Sequence, residues 1–333
     1  MKVLFYSARP YDKDSMQALN NGKHDFVFTE ARVDDQTVKL AEGYQAVCGF
    51  VNDAFSETIL QALHKTGVRL VLLRSTGFNN VDLKAADALG ITVMRVGYYS
   101  PYAVAEFAVT LMLGLSRKIH RTYNKVREEN FLLDGLLGFD LHGKTVGIIG
   151  TGKIGQVLTR ILSGFGCNVL AYDVAENQAC KDAGARYCPL PELFSKSDII
   201  SLHVPLTPKT HHLINAETIA QMKRGAMLIN TSRGGLVDTT ALIQGLKSQQ
   251  LGAVGLDVYE EEGDLFFRDL SGQVLQDDRF ARLLSFPNVL ISGHQAFFTR
   301  EALHDIAAAT LANIEDFAAG RTNANTLHAD LIR

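Results

Sequence analysis

A glycine-rich turn near the middle of the 333-residue chain limits the possible fold more than any other feature. Residues 145–149, which read Thr-Val-Gly-Ile-Ile, predict a short buried strand, and residues 154–165 predict an amphipathic helix. Gly150, Gly152 and Gly155 lie at the junction of these two segments. The first glycine allows a tight turn, the second lets the backbone approach a pyrophosphate, and the third lets the helix pack closely on the strand. The pattern predicts a βαβ unit that binds a dinucleotide at the helix N-terminus.

An acidic residue follows the next predicted strand. This strand covers residues 168–172 and ends on Asp173, which lies 23 residues after Gly150. A carboxylate at this position can accept hydrogen bonds from an adenosine ribose, and it would repel a 2′-phosphate. The next residues, Val174 and Ala175, supply no arginine to hold such a phosphate. We therefore predict NAD as the cofactor; the alternative is a βαβ turn without a ligand.

Predicted strands and helices alternate in two successive sets, which is typical of parallel sheets covered by helices. The strands of the two sets are predicted at residues 3–6, 26–28, 46–51, 69–73 and 92–96, then at 145–149, 168–172, 199–203, 227–230, 253–257 and 289–292. A single long helix is predicted between the sets, over residues 102–129, and a last helix over residues 300–319.

This order predicts an α/β protein of two Rossmann-like or flavodoxin-like domains, each with a parallel sheet. The nucleotide-binding domain, residues 101–299, is predicted to be inserted in a discontinuous second domain made of residues 1–100 and 300–333.

Composition excludes several classes of partner. The net charge is −3 with both signs interspersed, which argues against binding to nucleic acid or to an anionic membrane. The N-terminal apolar run is too short for a signal peptide, and the apolar run at 103–115 contains Glu106 and is too short to span a bilayer. We expect a soluble, cytoplasmic protein. Its four cysteines lack metal-ligand spacing and are expected to be reduced and mostly buried: Cys48, Cys167, Cys180 and Cys188.

Polar residues follow the predicted strands of the second set, at the sheet edge where open parallel sheets bind ligands. They include Arg233, the glutamates at 260–262 and His294. Reduction of a 2-oxo acid needs a cation for the carboxylate, a proton donor and a hydride source. Arginine is a permanent, forked donor, and a histidine beside a carboxylate stays protonated near neutral pH. The pattern therefore suits carbonyl reduction.

Each of these residues also has a simpler interpretation. Arg233 could be a surface cation, His294 a structural histidine, and residues 260–262 a solvated loop. His203 is the strongest alternative to His294, but no arginine and carboxylate stand similarly near it in the pattern. The adjacent residues 211 and 212, both histidines, are expected to point in different directions and to form a poor metal pair. We predict no metal site. The sequence alone leaves open which of the three glutamates would serve.

Several motifs, in this order and spacing, resemble those of the D-isomer-specific 2-hydroxyacid dehydrogenases, and most closely those of the bacterial fermentative D-lactate dehydrogenases. They lie at residues 73–82, 99–106, 150–155, 201–207, 230–234, 255–260 and 293–297, with 264–267 and 294–298 favouring the lactate subgroup. The resemblance covers nearly the whole chain. It implies an NAD-dependent oxidoreductase that reduces pyruvate to D-lactate in fermentation.

The resemblance also implies roles for particular residues. The catalytic residues would be Arg233, Glu262 and His294. Cofactor contacts would come from Gly150, Gly152, Lys153, Ile154, Gly155, Asp173, Val204, Pro205, Thr210, Thr231, Ser232 and Asp257. Backbone N–H groups of Ser75, Thr76 and Gly77 would hold the substrate carboxylate, and the pocket walls would be Phe50, Tyr99 and Phe297. Thr210 departs from the asparagine of many relatives, and Lys153 from a histidine or arginine.

Two rival functions are compatible with these residues. One is another D-2-hydroxyacid dehydrogenase, acting on glyoxylate, hydroxypyruvate or a branched 2-oxo acid, because pocket size decides the substrate. The other is a non-catalytic, NAD(H)-sensing protein of the same fold. A homo-oligomer, a dimer or a tetramer with the homodimer favoured, is also expected, with the exposed side of the helix at 102–129 covered by a second copy.

Overall fold

The structure, a computed structural model, describes residues 1–331 and divides into two compact units. Unit 1 consists of residues 1–100 together with the chain from Phe298 onward, and unit 2 consists of residues 101–297. Each unit is built on its own sheet with helices around it. The predicted fold class, two parallel-sheet α/β domains, is confirmed.

Strands and helices alternate along most of the chain. Within residues 1–331 the strands are β1 Lys2–Phe5, β2 Asp25–Phe28, β3 Ala46–Gly49, β4 Leu70–Leu73, β5 Thr92–Arg95, β6 Thr145–Ile149, β7 Asn168–Tyr172, β8 Arg186–Tyr187, β9 Ile199–Leu202, β10 Ala226–Asn230, β11 Leu251–Leu256, β12 Val289–Ile291 and β13 Thr326–Leu327. The α-helices are α1 Pro10–Asn20, α2 Glu57–Lys65, α3 Leu83–Leu89, α4 Pro101–Ser116, α5 Ile119–Arg127, α6 Lys153–Gly164, α7 Gln178–Asp182, α8 Leu190–Lys196, α9 Ala216–Gln221, α10 Thr239–Lys247, α11 Asp278–Leu284 and α12 Arg300–Ala318.

The sheet of unit 1 has six strands in the order β13-β5-β4-β3-β1-β2. All neighbours are parallel except β13, which pairs antiparallel with β5. Strands β3 and β4 are buried along their whole length, as expected for strands covered on both faces. Residues after 297 complete this unit, because α12 packs on α1 and its Asn313 donates a hydrogen bond to the carbonyl of Arg95 (2.9 Å).

The sheet of unit 2 has seven parallel strands in the order β12-β11-β10-β9-β6-β7-β8. The strand order reverses between β6 and β9, which is the point where doubly wound sheets bind ligands. The strands end level with one another, because Ile149 aligns with both Tyr172 and Leu202, and Asn230 aligns with Leu202 and Leu256. The residues that follow these strands therefore share one edge of the sheet.

The prediction of one continuous helix over residues 102–129 is wrong. The structure has two helices, α4 and α5, separated at Lys118, whose φ of 53° is left-handed and ends the α-helical path. Most of α4 is buried within unit 2, and Gly114 passes close to Leu290. By contrast, α5 has no buried residue. The break lies where the chain passes from a buried helix to an exposed one, and neither a proline nor a glycine separates the two helices.

The predicted strands agree with the structure to within two residues at each end. Strands β8 and β13 were not predicted. All four cysteines are free thiols and three are buried, as expected. We also expected each of them in or beside a strand, but Cys180 lies in α7. None of the helices described here is both long and apolar enough to cross a membrane.

Candidate active site

The turn after β6 has no space for a side chain at two of its glycines. Gly150 has a φ of 100°, and a Cβ there would lie 2.5 Å from the carbonyl group of His203. A Cβ on Gly155 would overlap the carbonyl oxygen of Gly150. At Gly152 no heavy atom of residues 1–331, apart from the glycine and its chain neighbours, lies within 4 Å of the Cβ position, and this residue precedes α6 without a side-chain cap. The first N–H groups of α6 thus face an open space suited to a pyrophosphate.

Asp173 joins the ends of β6 and β7. Its Oδ2 accepts hydrogen bonds from the backbone N–H and the hydroxyl of Thr151 (2.6 and 3.2 Å), and its Oδ1 accepts one from the N–H of Val174 (2.7 Å). A carboxylate has about four lone-pair positions, so one remains for a ribose hydroxyl. Tyr187 of β8 donates to the same Thr151 hydroxyl (2.8 Å). Thr151 and Tyr187 therefore fix Asp173, and neither was singled out in the sequence.

The loops after β9 and β10 are tied together beside this turn. Ser232 donates its hydroxyl proton to the carbonyl of Val204 (2.7 Å). The hydroxyl of Thr210 donates to the carbonyl of Pro205 (2.6 Å), so this side chain closes its own turn. The Oγ1 of Thr231 is buried and has no hydrogen-bond partner within the described residues. A buried hydroxyl without a partner is costly, and a bound ligand would satisfy it.

Arg233 follows these residues in an extended conformation, just before a 3₁₀ turn at Gly234–Leu236. Its Nη1 donates to the carbonyl of Ser232 (2.6 Å), and its side chain is partly exposed. The next residue packs backbone against backbone, because a Cβ on Gly234 would overlap the carbonyl group of Tyr259. The loop that carries Arg233 therefore lies directly against the loop after β11.

The three consecutive glutamates after β11 have three different partners. Glu260 bonds His212, Glu261 bonds Arg279, and Glu262 bonds His294. The Nδ1 of His294 lies 2.7 Å from Oε1 of Glu262, and the other carboxylate oxygen accepts from the N–H of Tyr259 (2.9 Å). Both side chains keep a small exposed fraction, 13% and 18%. The geometry thus brings Glu262, and neither of its neighbours, to His294.

Asp257 holds the segment that carries His294. Its carboxylate is fully buried and accepts hydrogen bonds from the hydroxyl of Ser292 (2.7 Å) and from the N–H groups of Gln295 and Ala296 (2.8 and 2.9 Å). Its carbonyl accepts from the N–H of His294 (2.7 Å). His294 has a left-handed φ of 56°, an uncommon conformation for a histidine that these bonds on both sides maintain.

His203, the alternative histidine, is in a different environment. Burial lowers its pKa from 6.5 to about 4, so the ring is neutral near pH 7. Its Nε2 lies 2.8 Å from the hydroxyl of Ser201, and its backbone packs on Gly150. A neutral, enclosed imidazole is a poor proton donor at neutral pH. These observations favour His294 for acid–base chemistry.

In unit 1, the residues predicted to bind substrate follow adjacent strands. Phe50 comes after β3, and its N–H donates to the buried carboxylate of Asp53 (2.7 Å). Ser75, Thr76 and Gly77 come one residue after β4, and the hydroxyl of Ser75 donates to the carbonyl of Gly77 (2.8 Å). Since Gly49 of β3 aligns with Leu73 of β4, these loops lie at one edge of the sheet. Tyr99 is partly buried in unit 1, and Phe297 is buried in unit 2.

A match to a family model shows to which family the chain belongs. The NAD-binding domain of the D-isomer-specific 2-hydroxyacid dehydrogenases matches residues 109–296. The chain belongs to this family. The family predicted from the sequence is therefore confirmed, and so are the predictions of an NAD-dependent 2-hydroxyacid dehydrogenase and of NAD as the cofactor.

Relatives of this dehydrogenase match nearly the whole chain. The D-lactate dehydrogenase of Escherichia coli strain K12 is 50% identical over 98% of this chain and 100% of its own length. The apo-structure of the Escherichia coli D-lactate dehydrogenase superposes with a TM-score of 0.90 at 47% identity, covering 98% of this chain and 100% of that one. The D-lactate dehydrogenase of Aquifex aeolicus, solved with NAD and lactic acid, gives a TM-score of 0.86 at 33% identity over 96% of each chain.

The geometry of the site in this dehydrogenase fits NAD. The open space at Gly152 suits the pyrophosphate, and the unpartnered hydroxyl of Thr231 lies along the same sheet edge. Lys153 and Ile154 form the first turn of α6 beside that space.

Proposed function

We propose that this chain reduces pyruvate to D-lactate with NADH. The observation that carries the proposal is the pair formed by His294 and Glu262, which lies at the sheet edge of the NAD-binding domain beside the loop of Arg233. The two relatives reported above are both named D-lactate dehydrogenases, which supports lactate as the hydroxy acid.

In the proposed reaction, the first turn of α6 and the residues after β7 and β10 would hold NADH, which would supply the hydride when bound. Arg233 binds the substrate carboxylate and polarises the keto oxygen with its forked donors. Because Nδ1 of His294 faces Glu262, Nε2 is the nitrogen left to give its proton to that oxygen. The carboxylate of Glu262 favours the charged imidazolium until the transfer. Addition of one hydride to C2 and one proton to oxygen converts pyruvate to lactate.

The remaining predicted contacts are part of the same proposal. The N–H groups of Ser75, Thr76 and Gly77 would hold the substrate carboxylate, and three aromatic side chains, Phe50, Tyr99 and Phe297, would limit the size of the substrate. The two compact units support the predicted domain boundaries, with residues 1–100 and 300–333 as the substrate domain and 101–299 as the NAD-binding domain.

Two further proposals concern the state of the protein. We propose a cytoplasmic location, which the four free cysteines support. We also propose a homo-oligomer, a dimer or a tetramer. Its support is not α4, the first part of the helix predicted at 102–129, since α4 is mostly buried. Instead, α5 and the residues after it form an apolar patch of exposed side chains: Ile119, Tyr123, Val126, Phe131, Leu132, Leu133 and Leu137.

The proposed activity is tested by following NADH absorbance with a panel of 2-oxo acids and resolving the product on a chiral column. We expect the highest kcat/KM with pyruvate and D-lactate as the product. Faster turnover of glyoxylate, hydroxypyruvate or a branched 2-oxo acid would assign a different substrate. Binding of NADH without turnover of any acid would favour the NAD(H)-sensing function.

A His294→Gln substitution tests the proton donor. General acid catalysis contributes about 10² to 10⁴ in rate, so we expect kcat for pyruvate reduction to fall by a factor in that range. NADH affinity, measured by fluorescence titration, should stay within about two-fold, because His294 is not among the proposed cofactor contacts. The matched control is His304→Gln, at an exposed position on α12. Wild-type turnover in the His294 variant would exclude this role.

A further inference from the structure

A cluster of two histidines and one glutamate lies beside Gly235, two residues after Arg233. His211 and His212 end the turn that follows β9, and Glu260 follows β11. One ring nitrogen of each histidine and one carboxylate oxygen of Glu260 all lie within 4.8 Å of one another. Among residues 1–331 this is the one group of three histidine, cysteine, aspartate or glutamate side chains with that property.

The backbone explains why two adjacent histidines face the same way. In extended chain, successive side chains point to opposite sides, which is why the sequence predicted a poor metal pair. His212 instead has a left-handed φ of 51°, and its N–H donates to the carbonyl of Gly235 (2.9 Å). The two imidazoles consequently stack with their centres 3.9 Å apart and their planes 24° from parallel.

The carboxylate of Glu260 is already oriented toward the two rings. Its Oε2 accepts a hydrogen bond from the N–H of Thr239 (3.2 Å), and its Oε1 lies 2.5 Å from Nε2 of His212. Hydrogen bonds of this kind to a ligating carboxylate fix its direction and strengthen metal sites. The side chains of Glu260 and His212 are 17% and 32% exposed, and His211 is exposed, so an ion can enter from the His211 side.

We propose that His211, His212 and Glu260 form a site for a borderline transition-metal ion, with Zn²⁺ as the best match. Two imidazole nitrogens and one carboxylate oxygen, with a water in the fourth position, are a known zinc donor set. Calcium and magnesium prefer all-oxygen shells and are not expected to compete. Tetrahedral donors about 2.1 Å from zinc stand about 3.4 Å apart, so the widest donor spacing must close by up to about 1.4 Å. The 2.5 Å contact between Nε2 of His212 and Oε1 of Glu260 must instead open by about 0.9 Å to admit the ion. Rotation of the exposed His211 side chain provides the first of these movements.

Binding would replace the shared proton between His212 and Glu260 by the metal ion. The alternative is a simple hydrogen-bonded pair, which needs only these two residues. His211 is required for the metal site and not for the pair, so a substitution at His211 distinguishes the two. The site is independent of the proposed reaction, because binding can be measured without NADH or a 2-oxo acid.

The test uses the full-length, chelator-treated protein and Zn²⁺ alone, titrated by calorimetry and by competition with a chromogenic chelator. We expect one ion per chain, and a loss of affinity of at least about ten-fold in His211→Gln. His304→Gln is the matched control, since it removes an exposed histidine from unit 1 and should leave the affinity unchanged.

A second measurement reports the ligands directly. Co²⁺ in place of zinc should give the visible absorption of a tetrahedral site in the wild-type chain and in His304→Gln, but not in His211→Gln. Equal zinc affinity in the His211 variant and the wild type, or no saturable binding in the wild type, would overturn the proposal. Competition by Mg²⁺ at similar concentration would also contradict it.

Discussion

At the scale of single residues, the carboxylate beside His294 should set the pH range of the reaction. The Oε1 of Glu262 lies 2.7 Å from the ring and favours its charged form. In Glu262→Gln the imidazole loses this charged hydrogen-bond partner, so we expect kcat/KM for pyruvate reduction to fall and its dependence on pH to differ from that of the wild type. The measurement is the pH profile of kcat/KM with the wild type alongside.

The control for this variant is one residue away. Glu261 pairs with Arg279 on an exposed part of the loop, so Glu261→Gln should retain the wild-type profile. If Glu262→Gln also retained it, the pairing with His294 would have no part in proton transfer.

His203 should make the stability of the protein sensitive to acid. Its pKa is about 4 in the folded chain and about 6.5 when unfolded, because burial disfavours the charged ring. Between these values the unfolded state binds more protons, so stability falls as the pH drops from 6.5 toward 4. The full difference corresponds to about 3 kcal/mol.

The His203→Gln variant removes this titration. Its free energy of unfolding, measured by urea denaturation at a series of pH values, should therefore decline less than that of the wild type across this range. Parallel declines in the two proteins would show that other groups cause the acid sensitivity.

Sequence patterns show which residues lie at a site better than they show which side chains bond to one another. Arg233 and His294 were found because they follow strands, and strand ends are visible in a sequence. The choice among the glutamates 260–262 depends on how one short turn directs three successive side chains. The same limit explains His211 and His212, where a left-handed residue that no sequence signal marks turns two rings to one side.

At the scale of elements, close packing of α6 on β6 should not tolerate a methyl group at Gly155. A Cβ there would overlap the carbonyl oxygen of Gly150, which belongs to backbone and cannot rotate away. We expect Gly155→Ala to weaken NADH binding by at least about ten-fold, since a 1.4 kcal/mol change gives that factor. The measurement is a fluorescence titration of NADH, with thermal unfolding to record stability.

Gly164 provides the matched control, because it lies in the same helix and, apart from its chain neighbours and the backbone of its own helix, no heavy atom of residues 1–331 lies within 4 Å of its Cβ position. Gly164→Ala should leave NADH affinity unchanged and should raise stability by up to about 1 kcal/mol. Equal effects of the two substitutions would contradict the packing argument.

Most elements of this chain could be predicted because long apolar segments and glycine turns mark them. The strands of both parallel sheets were located to within two residues, whereas β8 and β13 have only two residues each, too few to show a pattern. The break between α4 and α5 could not be predicted either. It occurs at Lys118, a good helix former, where the chain passes from a buried helix to an exposed one.

At the scale of the whole molecule, the apolar patch on α5 and the residues after it should be covered by a second copy. Leu133 and Leu137 are 82% and 89% exposed, and patches of such residues usually mark interfaces. We expect the wild type to sediment as a dimer or tetramer at micromolar concentration. A charged residue at both positions, in Leu133→Asp/Leu137→Asp, should shift it toward the monomer, because burying unpaired charge is costly.

Val274 is 81% exposed and lies outside the patch, so Val274→Asp is the matched control and should sediment as the wild type does. A monomeric wild type, or assembly unchanged by the double substitution, would rule out this surface as the interface.

The pairing of β13 with β5 has a consequence for synthesis on the ribosome. Residues 1–100 leave the ribosome before unit 2, but their sheet lacks its β13 edge and the covering α12 until more than 200 further residues have been made. Unit 2 is contiguous and can fold as soon as it emerges. Residues 1–100 therefore keep an open sheet edge while unit 2 is made and folds. This interval is when chaperone protection matters most.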